Sequence, residues 1–198
     1  MINDPNPEAL SPFFILTAVL LYREKRLGAY YLALFFLLGI KENIALIVAM
    51  LGLWGVLAKD RPRFPWGAVP LVAAIVYFVF AAFWFVPHFR GIEQHPLLAG
   101  RYGHLGAAPH EVLLGLLSWK TWAGVAANPM NIGFICSLFG ILLVPALLSP
   151  SVLLLMVPIL AQHLLSGFPS EKSIYYFYSL TMTPVIFLAT VHSLKKGI

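Results

Sequence analysis

The chain carries little charge and almost no cysteine. Only 11% of its 198 residues are charged, 13 Lys and Arg against 8 Asp and Glu. A soluble domain carries about 25% charged residues, so a wholly water-exposed surface is excluded. The one cysteine, Cys136, lies in an apolar stretch. It cannot form an internal disulfide and reads as a small buried hydrophobe. Several common chemistries leave no mark either: there is no phosphate-binding glycine loop, dinucleotide fingerprint, zinc-protease helix or paired Cys ligands. The N-terminal Met-Ile-Asn-Asp-Pro-Asn-Pro-Glu has neither a basic start nor a small-residue cleavage site, so it is not a signal peptide.

What is present is apolar. The chain is 60% hydrophobic, with a mean hydropathy of +0.85. That composition indicates an all-α polytopic integral membrane protein, with residues 1–198 forming one membrane domain. The net charge of +5 does not call for nucleic acid as a partner. Arg23, Lys25, Arg26, Lys59, Arg61, Arg63, Lys195 and Lys196 flank apolar runs, as basic residues on the cytoplasmic side of a membrane do. The anionic lipid of the bilayer is partner enough for them.

The run from Gly28 to Ala58 organises the rest. Its 31 residues carry no charges but Lys41 and Glu42, and a bilayer core takes about 20 residues as a helix. Basic clusters at both ends put both ends on the cytoplasmic side, so the run folds back as a hairpin with Lys41-Glu42-Asn43 at its outer tip. That tip is either a solvated turn or a polar site facing a cavity. The remaining apolar runs are Ala9–Tyr22, Trp66–Val86 ended by Pro87-His88, Ile132–Leu148, Val152–Leu165 bent at Pro158, and a last span ending near Val191. About seven transmembrane or half-spanning segments result, with the N-terminus outside and the C-terminus cytoplasmic in an inner membrane. Residues 88–128 form an outer loop with one interfacial helix near His110–Ala127. The short first run reads as a middle helix of a longer protein whose N-terminal portion is missing.

Chemistry, if there is any, belongs on the outer face, which holds Glu8, Lys41, Glu42, Arg90, Glu93, Arg101, Glu111 and Glu171. The histidines at 88, 95, 104 and 110 have no helical i, i+4 spacing and read as surface residues, so no metal site is assigned and any cofactor is unknown. Gly100, Gly103 and Gly106 read as a flexible connector, and Gln162 and His163 as partners of a neighbouring helix.

These stretches resemble an uncharacterised prokaryotic membrane protein family, domain of unknown function 2079. The resemblance runs through Pro7-Glu8-Ala9-Leu10, Lys41-Glu42-Asn43, Val86-Pro87-His88-Phe89, Arg101-Tyr102 with Leu105-Gly106, Leu148-Ser149-Pro150, and Ser173 to Pro184. Asn6, Asn43, Tyr175 and Phe177 stand where the family carries a histidine, an acid and two histidines. The family is distantly similar to polytopic glycosyltransferases of the GT-C type, which use lipid-linked sugars. The resemblance implies an enzyme acting on a polyprenyl-phosphate-linked sugar at the outer face. Glu42 and Glu8 would be the catalytic carboxylates, and Lys41, His88, Arg90 and Arg101 the residues meeting a lipid phosphate. A transporter or permease subunit, or a structural membrane protein without a site, are the alternatives. The strongest form of the expectation brings Lys41, Glu42, His88, Arg90 and Arg101 to one cavity under the 110–127 helix. The opposing one pairs Arg90 and Arg101 with Glu93 and Glu111 at the surface.

Overall fold

A computed structural model describes residues 6–91, 100–106 and 108–195. Glu93, His95 and Lys196 lie outside the described residues. The described residues are helical or irregular, with no strand among them. The helices are α1 (Ser11–Arg23), α2 (Leu27–Ile40), α3 (Ala45–Leu57, entered through a 3-10 turn at Glu42–Ile44), α4 (Phe64–Arg90), α5 (Pro109–Leu117), α6 (Trp119–Ala127), α7 (Pro129–Leu147), α8 (Pro150–Leu165) and α9 (Thr183–Lys195).

Two of these, α4 and α7, are long and apolar enough to cross a membrane. Helices α2, α3 and α8 are shorter apolar helices, so about seven spans is more than length and composition establish. Helix α1 packs on α2 and α3 on α4, while α9 lies against the end of α7 and the start of α8. One core joins them, with Ile15, Tyr30, Leu37, Ile47, Leu51, Leu155, Ile159 and Met182 fully buried.

The hairpin arms fall where the sequence puts them. Lys41 is extended (φ −166°, ψ 149°) between α2 and the turn into α3, and its carbonyl accepts the Ile44 N–H at 3.1 Å. The far ends of the arms meet in an aromatic cluster. Tyr22 stacks on Trp54 at 5.3 Å and meets Trp66 edge-on at 5.4 Å, and Tyr30 lies 5.5 Å from Trp66. The Arg61 guanidinium sits 4.0 Å from the Tyr22 ring centre, an attractive cation–π placement, and donates to the Arg23 carbonyl at 3.3 Å. The two basic clusters that bracket the run thus share one end of the bundle, and Lys41 lies at the other.

Three expectations need correction. Pro87-His88 does not end the fourth helix, which runs on to Arg90 and stops at Gly91, a left-handed cap at φ 62° of the kind that suits glycine. Proline is tolerated because a π turn precedes it. The Val86 N–H bonds back to Ala81, and earlier Val69 bonds back to Phe64 ahead of Pro70. The ladder has already slipped by one residue where each proline's missing N–H falls. The single helix expected over 110–127 is two, broken at an extended Ser118. Carbonyls freed at the break are taken by the Thr121 hydroxyl (to Gly115, 2.7 Å) and the Trp122 indole (to Leu116, 2.7 Å). Cys136 is exposed, not buried, because α7 turns Asn131, Phe134 and Phe139 inward and leaves Cys136 on another face.

Helices α3 and α4 touch backbone to backbone. A Cβ on Gly55 would overlap the Trp66 carbonyl, and one on Gly67 would overlap the backbone at Val56. Close approach over small residues is the usual way apolar helices gain contact without a hydrophobic drive. Gly55→Val should therefore lower stability by about 1–3 kcal/mol, the usual result of overpacking. Gly133→Val, where nothing lies within 4 Å, should have little effect. Unfolding of both variants in detergent checks this.

Candidate functional site

Glu8 is an acid that the fold buries almost completely, at 2% exposure. It lies in a 3-10 turn, Pro7–Leu10, opened by Asn6, whose side chain accepts the Glu8 N–H at 3.0 Å. The Ser11 hydroxyl donates to the Glu8 carbonyl at 2.7 Å. The turn aims the carboxylate at the hairpin tip, where the Lys41 ammonium pairs with it. A buried carboxylate without a cation would be strongly disfavoured, so this contact ties the segment before α1 to the end of α2. Around the pair lies a cavity of about 300 Å³, lined by Asn6, Pro7, Glu8, Ile40, Lys41, Tyr176 and Tyr178. The Lys41 ammonium is 5.8 Å from the Tyr178 ring centre, and Tyr176 and Tyr178 lie 6.3 Å apart.

Behind Tyr178 is a second charged group. Arg101 (7% exposed), His163 (2%) and Glu171 (1%) are all buried. The Arg101 guanidinium pairs with one Glu171 oxygen, and His163 Nδ1 lies 3.7 Å from the other. Backbone contacts hold the partners in place. The Gly167 N–H donates to the Arg101 carbonyl at 2.8 Å, and the Tyr102 hydroxyl donates to the Gln162 carbonyl at 3.2 Å. Asn131 on α7 donates to Val125 at 2.9 Å and Leu164 at 3.2 Å, fixing the end of α8. The His163 ring stands 6.4 Å from Phe134 and 5.9 Å from Tyr178. Both ring nitrogens of His163 are buried without a hydrogen-bond partner among the described residues.

Burial pushes the Glu171 carboxyl up, but His163, Arg101 and Ser166 more than offset it and hold it below the usual carboxylate range. The Tyr102 hydroxyl is pushed up to about 12, mainly by burial and further by Glu171. Burial pulls the Lys172 ammonium down against the opposing pull of Glu171.

Of the six residues singled out in the sequence, two meet: Glu8 and Lys41 share the cavity. Glu42 is half-buried and within electrostatic reach of Tyr77 on α4; it is not among the residues lining that cavity. His88 stacks on Trp84 at 5.2 Å, exposed like Arg90 at the end of α4. Arg101 is in the second group, paired with Glu171 and not in the cavity wall. Glu111 accepts the Ala108 N–H at 3.1 Å. The sequence marks Glu171 as one outer charge, and His163 as the partner of a neighbouring helix with a substrate contact as the alternative. The available signal was two adjacent polar residues, Gln162-His163, inside an apolar helix. Among the described residues, no group of three or more His, Cys, Asp or Glu could hold a metal ion.

A family model described as a predicted membrane protein, DUF2079, matches residues 2–198. Neither the curated proteins nor the solved structures give a match.

Removing one partner from a buried pair strands the other charge. Arg101→Ala or Glu171→Ala should each lose about 3–5 kcal/mol of stability, and the joint replacement by Leu much less than their sum. The Glu171 carboxyl is depressed in the fold, so its contribution is present above the usual carboxylate range and lost as pH falls through its folded value. Unfolding measured against pH should show stability dropping below about pH 4.3, with that part of the drop missing in Glu171→Gln.

Proposed function

We propose that this chain, which belongs to the DUF2079 family of predicted membrane proteins, binds a polyprenyl-phosphate-linked sugar in the Glu8–Lys41 cavity and acts on it as a glycosyltransferase-like enzyme. One observation carries the reading: a buried carboxylate and its cation line an open cavity together with two tyrosine rings. Phosphate is met by the Lys41 ammonium, a point-charge phosphate binder. Glu8, released from Lys41, takes the proton of an acceptor hydroxyl. The hydroxyl oxygen bonds to the anomeric carbon, the bond from that carbon to the phosphate oxygen breaks, and Lys41 neutralises the departing lipid phosphate. Tyr176 and Tyr178 offer flat faces to the sugar. Glu42 is the second carboxylate at the hairpin tip, His88 and Arg90 serve at headgroup level, and Arg101 acts from its own ion pair. The basic Arg61 end faces the cytoplasm and the cavity faces outward.

Orientation is tested by labelling single cysteines in a Cys136→Ala background on intact cells. Ser170→Cys should react with an impermeant maleimide, and Lys59→Cys only after permeabilisation; the reverse pattern overturns the orientation. Binding is tested with the full chain in nanodiscs and polyprenyl phosphate as the probe. Lys41→Ala should lose at least tenfold in affinity, about 1.4 kcal/mol, whereas Glu8→Gln, which frees Lys41, should bind at least as tightly as the parent. Undiminished binding by Lys41→Ala would sink the reading.

A further inference from the structure

We propose that the Arg101–Glu171 pair positions the cavity wall: acting through His163, it sets the Tyr178 ring and with it the place of the Lys41 ammonium. Only the identity of the ligand rests on the reading above; the positioning itself does not.

The contacts run without a gap from the pair to the cavity. Arg101 and Glu171 are too deeply buried to separate without leaving a bare charge in the core, so segments 100–106 and 166–172 move together or not at all. The backbone reinforces this. Besides the Gly167 bond to Arg101, Gly100 packs so closely on Phe168 that a Cβ there would lie 2.9 Å from the ring. Of the Glu171 carboxylate, one oxygen is held by Arg101 and the other faces His163 Nδ1. Neither His163 nitrogen has a hydrogen-bond partner among the described residues, so the Glu171 carboxylate, 3.7 Å from Nδ1, acts on the ring between Phe134 and Tyr178 through its charge.

Tyr178 belongs to both assemblies. One neighbour is His163, and others are Tyr176 and the Lys41 ammonium inside the cavity. A change at Glu171 that rotates His163 therefore displaces a wall residue, although neither Glu171 nor Arg101 lines the cavity. They are positioning residues: they touch no bound ligand and govern the ring that does. Such coupling needs evidence beyond spatial adjacency, and non-additivity of the two substitutions supplies it.

The test uses the full chain in nanodiscs with 3-fluorotyrosine at position 178, read by fluorine NMR, and with 3-fluorotyrosine at the exposed position 175 as control. Glu171→Gln should move the 178 resonance and leave the 175 resonance in place. In a His163→Gln background the same Glu171→Gln change should move nothing further. Polyprenyl phosphate affinity should fall at least fivefold in Glu171→Gln. Should that variant not fold, Arg101→Lys, which keeps the charge and removes the planar fork, gives the same readout. An unmoved 178 resonance, or an equal shift with and without His163, overturns the proposal. Failure of the parent chain to bind polyprenyl phosphate, with the 178 resonance still responding through His163, overturns the ligand reading and leaves the positioning intact. Binding by the parent with unchanged affinity in Glu171→Gln does the opposite.

Discussion

A carboxylate taken out of water must be met by a cation, and the Lys41 end of this bundle depends on meeting that condition twice. Glu8 is met by Lys41 and Glu171 by Arg101, in each case from a different part of the chain. With 8 acidic residues in all, two so deeply buried make a large commitment. Such pairs do not add much net stability over an apolar replacement. What they do is forbid alternatives: the segment before α1 has one place to dock, and so has the loop after α8. In an apolar bundle, where sliding one greasy surface over another changes little, that selectivity is what fixes the end of the molecule.

The Arg61 end solves the opposite problem, a surplus of cations. Its guanidinium lies over aromatic rings and against the Arg23 carbonyl, with Asp60 at 3.1 Å. Aromatic faces accept a cation without requiring an acid, so the turn before α2 and the turn before α4 are pinned together by one side chain. At the same end, α3 and α4 are in contact through Gly55 and Gly67. The Arg61 end is therefore held by close packing together with one cation, and the Lys41 end by paired charges.

How far this was legible follows from what each interaction asks of the local sequence. The hairpin arms were readable because Lys41-Glu42-Asn43 interrupts an apolar run whose flanks are basic, and both signals are local. Glu8 and Lys41 were each picked out, but their pairing joins residues far apart in the chain, which no spacing encodes. Glu171, in a Pro-Ser-Glu-Lys loop, looks like any solvated acid; only packing by Arg101 and His163 makes it a buried one. The end of α4 was misplaced because proline normally stops a helix, whereas here a π turn absorbs it. The break at Ser118 carried only a weak local signal, a serine where a helix can begin, and the side chains that compensate it, Thr121 and Trp122, read from the sequence as members of one continuing helix.

On the proposed reading, the pairing of Glu8 with Lys41 also sets what can enter. A neutral ligand that separated the two would leave the buried Glu8 carboxylate without its cation, which disfavours its entry. A phosphate carries its own negative charge to Lys41 and so replaces what Glu8 gave. The displaced carboxylate is then free to meet the acceptor hydroxyl. Selection for an anion and release of the base are in this way one event. Tyr178, whose ring stands beside Lys41 and against His163, is the wall residue that must hold still while it happens, and the second buried pair lies directly behind it.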